Sequence, residues 1–236
     1  MVELSGVSFG YQSGKNVLDN LNLRMEEGRF YGLLGMNGSG KTTLLKLIAG
    51  KLFAHGGEIY VDGRNLRERD VETLQKVFML PADFIFPNMS LEQFLAIYSE
   101  FYPEFRKEVL NDCLVNFEIQ RDIKNLNQLS LGEKHKVAFS IALSLGTKIV
   151  LLDEAANGMD IPARKMFRKL LMKHVRENQI VVLSTHIVQD IENLLTDVIV
   201  LRKDAPVYAA SLEEIASRYS FGIQSNEEGV LYAEAC

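Results

Sequence analysis

The chain has 236 residues, 47% of them hydrophobic and 24% charged, and a formal net charge of −5. That length admits one large domain or two small ones sharing an interface, and the composition excludes extended disorder. The acidic balance lacks the basic stripe that a nucleic-acid partner requires, so no such partner is expected.

In chain order, Val2 to Met25 alternates apolar and polar residues and is punctuated by Gly10, Ser13-Gly14 and Glu27-Gly28, which predicts short antiparallel strands joined by tight turns. The nearly continuous apolar run from Phe30 to Leu34 predicts a buried central strand. A glycine-rich loop follows, and Thr42 to Ala49 reads as a helix closed by Gly50. From about Asp83 to Gln128 the chain is rich in Phe, Tyr, Leu and Glu at helical spacing. Ser90-Leu91-Glu92-Gln93 has the form of a capping box, and Pro103 lies near a second helix start. This stretch predicts an all-helical insertion, spanning about 84–145 once a further helix from Ser130 is included. Ile149 to Leu152 and Ile180 to Leu183 then read as buried strands with a helix over Pro162 to Glu177 between them, the alternation of a parallel sheet with crossover helices. The tail from about 211 has one more capping box, Ser211-Leu212-Glu213-Glu214, followed by polar residues of weak periodicity. Cys113 and Cys236 are the only cysteines, and neither sits in a C-x-x-C pair. A zinc site or disulfide framework is therefore unsupported, and a reducing compartment fits. The first residues do not read as a signal peptide, and the apolar runs are too short to span a bilayer. Any membrane role is expected to come through a partner.

Two motifs carry chemistry. Gly35-Met36-Asn37-Gly38-Ser39-Gly40-Lys41-Thr42 matches G-x-x-x-x-G-K-[ST] in full. Glycines let backbone N–H groups wrap phosphate oxygens, and the following helix N-terminus adds a favourable dipole. Lys41 then reaches the β- and γ-phosphates of a nucleotide, and Thr42 ligates Mg2+. Lys148 to Glu154 is an apolar strand ending in two acids, delivered at the edge where open α/β sheets bind ligands. Asp153 is expected to hold Mg2+ through water, and Glu154 to orient or deprotonate the attacking water.

With these motifs in place, the chain from Val2 to about Ala210 resembles the nucleotide-binding domain of the ATP-binding cassette superfamily. Leu129-Ser130-Leu131-Gly132-Glu133 resembles that family's signature L-S-G-G-Q, Asn157-Gly158-Met159-Asp160 its segment after the acidic strand, and Ser184-Thr185-His186 its histidine switch. Tyr11 sits where the family has an aromatic that stacks on adenine. Ser130 and Glu133 also form a local capping box that opens a helix running to about Leu145.

The resemblance implies a P-loop α/β fold: a mainly parallel sheet, an N-terminal antiparallel β subdomain and an inserted helical subdomain, all within a single domain over 1–236. It implies ATP and Mg2+ as cofactors and Tyr11, Gly35, Asn37, Gly38, Ser39, Gly40, Lys41, Thr42 and Thr43 as ATP contacts. Glu154 and His186 are implied as catalytic residues, and Thr42 and Asp153 as metal ligands. Ser130, Gly132 and Asp160 are implied as contacts to the ATP of an opposing cassette. The implied partners are a transmembrane permease on a separate chain and a second cassette, identical or different, with the protein peripheral on the cytoplasmic face of the membrane. Export rather than import is expected from the resemblance of Leu80 to Phe86 and Ser90-Leu91-Glu92 to bacterial export cassettes.

Two positions depart from the family pattern. Pro81 is followed by Ala82 and Asp83 where the family has a glutamine that reaches the metal and the attacking water, so Asp83 becomes a tentative stand-in ligand. Leu131 replaces a glycine, and its side chain is expected to hold the signature helix away from the neighbouring γ-phosphate. Glu133 adds charge in place of glutamine. A non-transport cassette or a catalytically weak regulatory subunit are the rival readings. The short insertion argues against a repair protein, the single cassette against a translation factor, and intact Glu154 against a regulatory subunit.

Overall fold

The computed structural model describes residues 1–12, 14–185, 192–203, 205–222 and 232–235. The first half runs β1 (Val2–Phe9), β2 (Leu18–Met25), β3 (Arg29–Leu34), α1 (Lys41–Ile48), β4 (Gly56–Val61), β5 (Arg64–Asn65), α2 (Val71–Gln75) and β6 (Val77–Leu80). Three helices follow, α3 (Leu91–Phe101), α4 (Lys107–Asn116) and α5 (Leu131–Ser144). The chain continues through β7 (Ile149–Asp153), α6 (Ile161–His174), β8 (Ile180–Ser184), β9 (Asp197–Val200), β10 (Tyr208–Ser211), α7 (Leu212–Arg218), β11 (Tyr219–Gly222) and β12 (Tyr232–Ala235).

The central layer is a six-stranded sheet in the order β10-β9-β3-β8-β7-β6. All of its neighbours pair in parallel except β10, which is antiparallel to β9. Every residue of β7 and β8 is buried, which explains their unbroken apolar runs: both faces of these strands are covered. Alternate residues divide between two cores. Ile149, Leu151, Ile180 and Val182 join α1 and the antiparallel strands, while Val150, Leu152, Val181 and Leu183 join α5, α6 and the helical insertion.

The N-terminal strands form a separate antiparallel sheet, β2-β1-β4-β5, which buries Val2, Leu4, Val7 and Phe9 from β1. An ion cluster ties this sheet to the central one. Asp62, in the turn after β4, accepts from Lys148 at 2.9 Å and from Lys76 at 3.1 Å, the residues just ahead of β7 and β6. Partial burial pushes the Asp62 carboxyl up, but hydrogen bonds from the Met1 ammonium, Lys148 and Lys76 outweigh it and hold the group well below the usual carboxylate range.

Local signals place the helical elements. Ser90 and Gln93 form the expected capping box of α3, and Ser130 and Glu133 that of α5. The second helix of the insertion begins at Lys107 rather than beside Pro103. Arg106, just before it, donates instead to the carbonyls of His174 at 3.1 Å and Leu143 at 2.9 Å, joining the C-terminal ends of α6 and α5. The tail also differs from its weakly periodic reading. There β11 pairs antiparallel with β12, while the expected cap is present, Ser211 accepting from the Glu214 amide at 3.0 Å at the start of α7. Among the described residues, no helix is long and apolar enough to cross a membrane.

Candidate active site

The loop between β3 and α1 lies at the C-terminal edge of the central sheet, where β7 and β8 also end. Gly40 caps α1 at φ 100° with no side-chain hydrogen bond to the helix start, a backbone conformation that a residue with a Cβ adopts only at a cost. The first turn therefore keeps N–H groups that no capping side chain satisfies, which is the arrangement that binds phosphate. Lys41 is buried, and its ammonium donates to the carbonyls of Gly35 at 2.7 Å and Met36 at 3.2 Å. The loop thus holds the charged end of its own lysine over the phosphate cradle.

Thr42 and Asp153 are 111 positions apart, yet Thr42 Oγ1 donates to Asp153 Oδ2 at 2.7 Å. Strand order explains the meeting. One strand, β8, separates β3 from β7, and Asp153 is in register with Ser184 at its end. Asp153 is 1% exposed, and its Oδ1 has no hydrogen-bond partner among the described residues. A buried carboxylate oxygen left without a donor, beside a threonine hydroxyl, fits a hard cation that takes oxygen ligands. No cluster of three or more His, Cys, Asp or Glu residues that would cage a metal occurs among the described residues. Mg2+ is ordinarily held by one or two protein oxygens together with substrate phosphates and water, a donor set that Thr42 and Asp153 would fit.

Glu154 follows at φ 52°, a left-handed conformation uncommon for a residue with a side chain and often found where backbone strain serves a site. Its amide donates to the Ser184 carbonyl at 2.9 Å, and its Oε2 accepts from Asn157 Nδ2 at 2.6 Å. Tyr11, 60% exposed, packs edge-on against Phe9 and bonds through its hydroxyl with Thr43 Oγ1 at 3.2 Å.

A cleft of about 430 Å³ unites Tyr11, Asn37, Gly38, Gly40, Lys41, Thr42, Thr43, Asp153 and Glu154. Gly35 lies at the loop's base as an acceptor for Lys41, and Ser39 is buried. His186 lies outside the described residues. Asp83 is exposed and does not line the cleft. Its charge acts on His135 of α5, whose imidazole is held below its usual value by burial, so the structure gives no ground for Asp83 as a metal ligand.

Ser130, Gly132 and Asp160 form a second group away from the cleft. Ser130 Oγ donates to Glu133 Oε2 at 2.6 Å and accepts from the Glu133 amide at 3.3 Å. The Ser130 hydroxyl and the Ser130 amide, which donates to the same Oε2 at 2.9 Å, hold the Glu133 carboxyl below its usual value. Asp160 caps α6 by accepting from the Ala163 amide at 2.8 Å. A Cβ on Gly132 would lie 3.3 Å from the Gly158 carbonyl, so the start of α5 abuts the loop after β7. Leu131 is 65% exposed and also rests against Gly158. Asn157 had no separate role in the sequence, although its spacing of three from Glu154 was a signal for a local side-chain contact.

The model of the ABC transporter family matches residues 18–157, more than half of the chain. The chain belongs to the ABC transporter family. The cassette is 30% identical over 225 residues to the ABC transporter ATP-binding protein NatA of Bacillus subtilis, covering 91% of each chain. It is 29% identical over 220 residues to YtrB of the same organism, covering 93% of this chain and 75% of that one. Among solved structures it superposes with a TM-score of 0.83 on an ATP-binding subunit of an ABC transporter, at 23% identity and 92% coverage of both chains. A dimeric post-hydrolysis state of the ATP-binding cassette MJ0796 bound to ADP and Pi superposes with a TM-score of 0.76 at 26% identity, covering 90% of this chain and 99% of that one. The cassette is an ATPase and the ATP-binding subunit of an ABC transporter.

Proposed function

We propose that this subunit binds ATP with Mg2+ in the cleft, closes on a second cassette and drives an export permease. The 2.7 Å bond between Thr42 and Asp153 carries this reading, because it joins the phosphate loop to the acidic strand end at one point. Thr42 and Asp153 hold Mg2+, which when bound neutralises charge on the β- and γ-phosphates. Lys41 exchanges its contacts with the loop carbonyls for phosphate oxygens, Asn37, Gly38, Ser39 and Gly40 wrap the phosphates, and Tyr11 stacks on the base. Glu154 takes a proton from water as the water oxygen bonds to the γ-phosphorus and the bond to the ADP oxygen breaks. His186 completes the γ-phosphate contacts. Ser130, Gly132 and Asp160 face the ATP of the opposing cassette.

The permease docks on an apolar groove of about 310 Å³ between the central sheet and the helical insertion, where Ile85, Ile97 and Tyr98 are exposed beside Phe84 and Phe94. In this reading the whole chain works as one ATPase domain, with the insertion at about 84–145, peripheral on the cytoplasmic face of the membrane, as the family resemblance implies. The name of a relative in Bacillus licheniformis, a bacitracin transport ATP-binding protein 30% identical over 191 residues, supports a transport role. Export rests on the resemblance of residues 80–92 to export cassettes.

The test combines two variants. Glu154→Gln with ATP and Mg2+ is expected to sediment as a dimer. Ile85→Asp is expected to lose co-purification with the permease while keeping ATP-dependent dimerisation. A Glu154→Gln chain that stays monomeric at saturating ATP would overturn the closure, and permease capture undiminished by Ile85→Asp would overturn the docking site. Transport into inside-out vesicles containing the permease reads direction, and uptake driven the opposite way would exclude export.

A further inference from the structure

The loop after β7 contains a side chain that the reaction described above does not use. Asn157 donates from Nδ2 to Glu154 Oε2 at 2.6 Å, a short contact for an N–H donor, as a bond to a charged carboxylate favours. The backbone reinforces it, because the Asn157 amide donates to the Glu154 carbonyl at 2.9 Å. The two residues therefore close a small ring through main chain and side chain together.

The loop holding Asn157 is fixed on both sides. Upstream, the Glu154 amide is bonded to Ser184 on β8. Downstream, Met159 is buried and Asp160 caps α6. Between them Gly158, at φ 73°, lies under Leu131 and His135 of α5, with a Cβ there 3.5 Å from Leu131 Cγ and 3.9 Å from His135 Cδ2. Any residue with a side chain at this position would be strained, so the loop reaches its path only with glycine. The amide of Asn157 is thus presented by a backbone that is already set.

Glu154 has three rotatable side-chain bonds and lines an open cleft, so each contact that fixes its carboxylate narrows the rotamers it samples. A base that must sit within hydrogen-bond reach of one water loses rate in proportion to the time it spends elsewhere. We propose that Asn157 is the positioning residue for Glu154, holding Oε2 so that the carboxylate stays aimed at the attacking water. The Asn157 amide occupies one of about four lone-pair sites of the carboxylate. Asn157 does not line the cleft and acts only through Glu154. This role rests on the reading of Glu154 as the base.

The test measures kcat, KM and ATP affinity for Asn157→Ala and Asn157→Asp in the full chain, with Glu154→Ala and the double variant Glu154→Ala/Asn157→Ala beside them. Asn157→Asp keeps the shape but replaces the donor by a second carboxylate against Glu154, so it remains informative if the alanine chain folds poorly. Both single variants are expected to lower kcat about tenfold, the rate equivalent of one lost hydrogen bond, with ATP affinity unchanged. In single-turnover measurements the double variant is expected to match Glu154→Ala, because a tether has no effect once its carboxylate is gone. Wild-type kcat in Asn157→Asp, or a further loss in the double variant, would overturn the positioning role. If Glu154→Ala itself turns over normally, the base assignment falls and the tether with it. Loss in Glu154→Ala with none in the Asn157 variants removes the tether alone.

Discussion

Replacing Asp153 with asparagine is expected to stabilise the ligand-free protein while removing its response to Mg2+ and ATP. Asp153 is buried with one bond, from Thr42 at 2.7 Å to Oδ2, and its Oδ1 has no partner among the described residues. The hydroxyl of Ser184, its register partner on β8, is likewise buried without a partner. In Asp153→Asn the amide oxygen keeps the Thr42 bond, and a neutral amide replaces a carboxylate whose Oδ1 no donor satisfies. An unsatisfied buried polar atom costs about 1–3 kcal/mol. For a domain of this size each kcal/mol moves Tm by about 2–4 °C, so the ligand-free variant should melt about 2–12 °C higher. The wild type, at nucleotide concentrations a hundredfold above Kd, gains about 2.7 kcal/mol from binding, and the variant should lose the Mg2+-dependent part of that gain. Differential scanning calorimetry without nucleotide, with ATP and EDTA, and with ATP and Mg2+ separates the two effects. A lower Tm in the ligand-free variant would refute the reasoning about the orphaned oxygen. A full Mg2+-dependent shift would refute Asp153 as a metal ligand.

Glu154→Gln should keep ATP binding and lower steady-state hydrolysis about 10²–10⁴-fold, the usual contribution of a general base; phosphate release at saturating ATP reads it, and near-normal turnover would remove the base assignment. Lys41→Ala should weaken nucleotide binding about 10–100-fold through lost charge-assisted bonds, and titration with a fluorescent ATP analogue checks this. Leu131→Gly should raise turnover and tighten ATP-dependent dimerisation, since up to about 1 kcal/mol of helix propensity is set against about 1.5–3 kcal/mol for one recovered charge-assisted bond; ATPase rate against protein concentration reads the outcome, and no gain would mean the leucine is no obstruction. Asp62→Asn should cost about 1 kcal/mol at neutral pH after solvent screening. Because the folded Asp62 carboxyl is held low, its stabilisation is present above about pH 4, the unfolded value, and is lost as pH falls below it. The Tm gap between wild type and variant should therefore close on acidification, and a gap that widens would contradict this.

What could be read from the sequence was the part governed by neighbours in the chain. The phosphate loop is one contiguous run from Gly35 to Thr42, and its conformation depends on its own glycines and the helix it opens. The capping boxes at Ser90 and Ser130 join residues three apart, and the unbroken apolar runs of β7 and β8 announce strands covered on both faces. Periodicity says that a segment is a strand but not which strand lies beside it, so only the tertiary structure set β8 between β3 and β7 and brought Thr42 to Asp153. The placement of Asp83 near His135, the contact of Leu131 with Gly158, the start of α4 at Lys107 and the pairing of β11 with β12 were decided in the same way. In each case the deciding contact joins segments distant in sequence or a backbone path that no local pattern encodes. Sequence thus named the candidate residues for the chemistry, and the order of strands in the sheet determined which of them meet.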